Sequence, residues 1–240
     1  MTPPAFFALF SRSESISFEG CQRIAASVQA QLNEDVTPIW GRKGTITAYN
    51  KESDVPAHYW KVVIEDDIGQ PGALGYHTDE FNQPEAYVAA QGGDINAVCT
   101  TVSHEVLETL MDFSGNRLIT ILHPENSPLN HRRVRMLCEV CDPPEAKSYE
   151  KLGLQVSDFI TPEWYDDSKK DGVRYTFLGS IDHPRQLAPG GYCSFIDTDK
   201  KWYQLVWWDQ EPQLKGPFAF DTADESLRET VDKHVRLTRP

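Results

Sequence analysis

Residues 96–112 read NAVCTTVSHEVLETLMD, and no other stretch restricts the chain as much. Set at about 100° per residue, the pattern predicts a helix over 95–113. Ile95, Val98, Cys99, Val102, Val106 and Leu110 fall on one arc. Thr101, His104, Glu105, Glu108 and Asp112 share the other side, in a stripe roughly 100° wide. That stripe holds one imidazole, three carboxylates and no cation. Carboxylates one turn apart repel one another by about a few tenths of a kcal/mol per pair. A positive partner is therefore expected, and a divalent metal is the simplest one. His104 and Glu108, at i and i+4, can reach one point beside the helix. Glu105 is their neighbour, placed to act as a general base. The competing reading is a solvated acidic face that happens to contain His-Glu.

A chain of 240 residues can bury a full core, as one large domain or two smaller ones. A formal net charge of −13 disfavours nucleic acid and anionic membrane surfaces as partners. No apolar run reaches the length of a membrane span. The opening MTPPAFFALFSRSES has no basic leader before its apolar patch and is expected to be a first strand, not a signal peptide. Five cysteines leave at least one unpaired within the chain. Reduced thiols in a cytoplasm are the default, with leaderless export as the alternative.

In chain order, residues 5–10 are of strand type. Ser17 is an N-cap for a helix over 18–32, with Cys21, Ile24, Ala25, Val28 and Leu32 at helical spacing, and 33–35 closes it. Residues 38–49 suggest a strand pair or a bulged strand, 59–65 a strand, 66–72 a turn-rich loop, and 85–90 another strand. Gly92-Gly93-Asp94 breaks the chain and caps the key helix. Beyond it, 117–123 and 154–160 are strand-like. Residues 189–196 and 202–208 flank the turn 197–201 as a hairpin. A polar helix with Leu227, Val231 and Val235 as its apolar stripe spans 224–237. The fold class expected is α+β.

The string His104-Glu105-x-x-Glu108 resembles the H-E-x-x-H helix of zinc peptidases, with a carboxylate replacing the second imidazole. Carboxylate is an acceptable zinc ligand. The element order of about residues 5–115 is similar to the N-terminal subdomain of zincin metallopeptidases, in particular the metzincin-type layout. That resemblance implies a mixed twisted sheet over a backing helix and an active-site helix (1–115), with a β-rich C-terminal subdomain (116–240) completing the metal site. It implies a Zn²⁺ cofactor and a peptide or protein substrate, paired along an antiparallel edge strand at 86–90. The chain departs from the longer metzincin motif at Glu108, at Met111 and at Ser114, so a further ligand must come from elsewhere or from Asp112.

Two downstream groups are candidates. Residues 138–142 read CEVCD. In gluzincin-type peptidases the third ligand is a downstream Glu, which implies Glu139 here. The pattern of H-E-x-x-E-x-x-x-D followed by E-x-x-D is also similar to exordium-like proteins. Asp112 and Asp142 are then orienting partners or alternative ligands. Tyr192, in Gly-Gly-Tyr, and Tyr76 are candidate oxyanion donors. Cys138 and Cys141 form a lone C-x-x-C, half a zinc site or a redox pair. His58, His77, His123, His131, His183 and His234 stand outside ligand spacing and are expected to be surface or core residues, although His77 and His123 each end a strand. The function expected is a zinc-dependent hydrolase, a peptidase. The alternative is an inactive zincin-like binding or structural module, a virion or secretion-apparatus component, holding Zn²⁺ or Ca²⁺.

Overall fold

The computed structural model describes residues 4–70, 72–79, 83–125, 132–218, 227 and 231. The fold is α+β, built as two units: Met1–Ser114 with Ser148–Ser157, and Gly115–Lys147 with Asp158–Pro240. A single boundary after residue 115 does not describe this division, because the segment 148–157 groups with the first unit.

The first unit carries β1 (Ala5–Ser11), β2 (Gly44–Ala48), β3 (Trp60–Glu65), β4 (Gly75–Thr78) and β5 (Glu85–Ala89) in one sheet of order β2-β1-β3-β5-β4. β2, β1, β3 and β5 run parallel, and β4 is antiparallel to β5. The strand expected at the edge, 86–90, is therefore internal. The edge belongs to β4, because Gly75–Thr78 pairs along the outer side of β5. On one face the register aligns Leu9 with Val62, Val62 with Ala86, and Ala86 with His77. Leu9, Val62, Ala86 and His77 are all buried there.

Two helices pack on that face and on each other, α1 (Phe18–Gln31) and α3 (Ile95–Met111). The Ser17 hydroxyl accepts from the Gly20 backbone N–H at 3.1 Å and starts α1. The helix does not close at 33–35. It passes through a π-turn (Leu32–Val36) into α2 (Thr37–Trp40) and stops at Gly41, whose φ of 66° suits glycine. Leu32 and Val36 are fully buried and prolong the apolar face. Asp35 is accommodated by Tyr149, whose hydroxyl donates at 2.8 Å, and by Lys151 at 3.0 Å. Those partners lie more than a hundred positions away in sequence, so local pattern could not supply them. Residues 37–40 are accordingly helical, and only Gly44–Ala48 of the expected 38–49 strand pair is a strand.

Tyr149 and Lys151 belong to a hairpin of β8 (Ser148–Lys151) and β9 (Leu154–Ser157), turned by Leu152 and Gly153 at positive φ. A closed polar triangle holds it. The Ser103 hydroxyl donates to Gln31 Oε1 at 2.7 Å, Gln31 Nε2 donates to the Ser157 carbonyl at 2.8 Å, and the Ser157 N–H donates to Ser103 Oγ at 3.0 Å. All three residues are fully buried, and each bond satisfies a group that would otherwise be stranded. Ser103 immediately precedes His104, so the triangle fixes the helix turn that bears the His-Glu pair.

The second unit is built on a sheet of order β12-β11-β10-β7-β6: β6 (Leu118–Leu122), β7 (Arg133–Leu137), β10 (Tyr192–Ile196), β11 (Trp202–Val206) and β12 (Gln213–Phe218). β10 and β11 form the expected hairpin, with Ile196 opposite Trp202. Leu227 and Val231, the described residues of the helix expected at 224–237, pack with Trp202; the rest of that segment lies outside the described residues. No helix among the described residues is long and apolar enough to cross a membrane.

Candidate metal centre

The centre is built on α3. Asp94 opens the helix by accepting from the backbone N–H groups of Asn96 at 3.0 Å and Ala97 at 3.2 Å. The apolar arc Val98, Cys99, Val102, Val106 is fully buried, as its period demands. The opposite stripe is buried as well: Glu105 is 2% exposed, Glu108 0% and Asp112 2%. A solvated acidic face is therefore not what this helix presents. Ionised carboxylates removed from water cost several kcal/mol each unless compensated.

His104 Nε2 stands 3.3 Å from Glu108 Oε2, across the one turn that i, i+4 spacing provides. A second imidazole enters from the sheet. Strand alternation turns Gly75 and His77 of β4 toward α3 and sends Tyr76 and Thr78 to the other face. His77 Nδ1 lies 3.2 Å from Glu105 Oε2. Donor atoms of His77, Glu105 and Glu108, all buried, lie within 4.8 Å of one another. The His77 ring is 2% exposed, and its Nε2 has no hydrogen-bond partner among the described residues. Tyr76 stacks instead on Tyr87, ring centroids 5.2 Å apart, on the face away from the cluster, which removes it as an oxyanion donor here.

Gly75 is what lets β4 come this close. A Cβ on it would lie 2.7 Å from Glu105 Oε1 and 2.7 Å from Thr101 Cγ2. Gly75→Ala is expected to destabilise the protein by about 1–3 kcal/mol through this overlap. Its denaturant midpoint measures that, and an unchanged midpoint would mean that β4 does not lie against α3 in this way.

Asp112 terminates α3: its N–H donates to the Glu108 carbonyl at 2.7 Å, and its carboxylate accepts from the Ser114 hydroxyl at 3.3 Å. Glu139, Asp142 and Tyr192 belong to the second unit. Glu139 and Asp142 are buried on the turn after β7, and the Asp142 carbonyl accepts from the Tyr192 backbone N–H at 3.0 Å. All five cysteines are buried and none is in a disulfide, Cys138 and Cys141 included. Burial pushes the Cys193 thiol far up, an environment that keeps it from becoming a thiolate. His123 packs edge-on against Phe195 at 4.6 Å in the second unit, and burial lowers its pKa. His58 lies edge-on to Tyr59, and His183 pairs with Glu125 at 3.1 Å. His131 and His234 lie outside the described residues.

His77 is the residue that the spacing argument left among the ordinary histidines. The signal available for it was strand alternation: a glycine two positions before a histidine puts both on one face, the glycine making room for what the histidine meets. A comparison of the chain with protein-family models, characterised proteins and solved structures finds no match among them.

Proposed function

We propose that the protein is a divalent-metal-dependent hydrolase of the zincin type, acting on peptide bonds. The observation that carries this reading is the sharing of Glu108 by His104, 3.3 Å away, and by the buried group of His77 and Glu105. A mixed imidazole and carboxylate donor set suits Zn²⁺, whereas Ca²⁺ takes oxygen ligands throughout. A cation would also offset the burial of Glu105 and Glu108. His104 and Glu108 would hold it. Zn²⁺ would supply a Lewis acid that polarises a carbonyl oxygen and makes water a usable nucleophile near neutral pH. Glu105 would take the proton of the attacking water and pass it to the leaving amine.

The zincin assignment draws support from the mixed sheet, its antiparallel edge strand β4, and the two helices on one face. The substrate would extend that edge as an added strand, pairing with β4 and not with 86–90. An opposing observation favours the inactive module. Glu105 is 2% exposed, its Oε2 is engaged by His77, and its Oε1 lies under Gly75, which leaves little of it open to solvent.

The test is metal removal. The purified chain is expected to carry zinc near one equivalent, and hydrolysis of a mixed peptide library is expected to stop on chelation and return with Zn²⁺. Zinc bound without any turnover would favour the module. Failure to bind divalent metal at micromolar concentration would end both readings.

A further inference from the structure

His77 is supplied by neither the helix spacing nor the downstream acids, and its surroundings are specific. An ionised carboxylate only accepts hydrogen bonds, so with Glu105 ionised and His77 neutral the 3.2 Å contact to Glu105 Oε2 assigns the ring proton to Nδ1. The lone pair then resides on Nε2. That nitrogen is buried, and no group among the described residues donates to it. The whole residue is 2% exposed, so bulk solvent does not reach it. A buried imidazole lone pair whose other nitrogen is fixed by a carboxylate is the arrangement metal-bound histidines adopt: the carboxylate sets the tautomer and aims the ring.

We infer that His77 is a metal ligand, its Nε2 joining Glu108, whose donor atom lies with those of His77 and Glu105 within 4.8 Å and which also stands 3.3 Å from His104, with Glu105 orienting the ring through Nδ1. The inference rests on the metal reading of this site and adds to it a ligand from the edge strand. Binding would then clamp β4, a strand of only four residues, onto α3. The strand proposed to receive the substrate would be ordered by the ion that His104 and Glu108 would hold.

The experiment titrates Zn²⁺ and Co²⁺ into the metal-stripped full chain, as wild type and as His77→Gln. Glutamine keeps a donor for Glu105 and removes the imidazole. Affinity is expected to fall by about 100-fold or more, beyond the roughly 10–100-fold that follows loss of an orienting partner. X-ray absorption of the wild-type Co²⁺ protein needs no variant and is expected to count two imidazoles. Amide exchange at Tyr76 and Thr78 is expected to slow on loading. One imidazole at the metal, or H77Q binding within a few-fold of wild type, would overturn the His77 assignment and leave the metal site standing. Absence of binding by the wild type would overturn both.

Discussion

Gly191→Ala is expected to disrupt the second unit, with a loss of about 3 kcal/mol or more, toward the upper end of what overpacking costs. The φ of Gly191 is not positive, so the requirement is for space alone. A Cβ there would lie 2.0 Å from the Pro143 carbonyl oxygen, 2.7 Å from its carbon and 2.9 Å from the Asp142 oxygen. These are backbone atoms of a turn tied on both sides. Tyr192 N–H donates to the Asp142 carbonyl at 3.0 Å, and Ala188 N–H donates to the Pro143 carbonyl at 3.0 Å. Relief requires the two segments to part and both bonds to lengthen, each worth about 1 kcal/mol net. The unfolding midpoint is expected to fall by roughly 6–12 °C for a chain of this size. A variant within about 0.5 kcal/mol of wild type, the ordinary scatter of a surface change, would show that the turn is not packed as described.

Glu105→Gln is expected to lower kcat by about 10²–10⁴-fold, the usual contribution of a positioned general base. Glutamine is nearly isosteric and its carbonyl oxygen can still accept from His77 Nδ1, which Glu105 now does at 3.2 Å. It cannot accept a proton from water near neutral pH. His104 and Glu108 remain, so zinc is expected to stay bound, and KM is expected to change little, as follows when an interaction made only in the transition state is removed. The measurement is steady-state hydrolysis of one peptide selected from the library, with metal content determined on the same samples. Turnover by E105Q within about threefold of wild type would remove Glu105 as the base. Loss of zinc together with activity would assign it to holding the metal centre.

Both outcomes depend on features that differ in how openly the sequence displays them. The helix at 95–113 was legible because its cap, its period and its length all lie within one segment. Asp94 caps it, and Val98, Cys99, Val102 and Val106 of the apolar arc are fully buried. The i, i+4 pair of His104 and Glu108 was legible for the same reason: helix geometry alone brings the two side chains to 3.3 Å. The hairpin of β10 and β11 was equally local, since its turn and its alternation are contiguous. What was missed involved partners distant in sequence. The helix expected to close at 33–35 continues because Tyr149 and Lys151, from the hairpin at 148–157, accept Asp35 into the fold. The edge position was given to 86–90 because pairing order is a choice among strands that no one strand encodes.

By itself, the sequence determined the helix, its cap, and the angular relation of His104, Glu105 and Glu108, because these follow from covalent geometry and a 3.6-residue period. Only the tertiary structure decided that the acidic stripe is buried, that β4 forms the edge, and that His77 meets Glu105 at 3.2 Å. The reason is physical. Burial and cross-strand order depend on which surfaces compete for the same apolar face, and the missing side chain of Gly75 is what leaves room for β4 against α3.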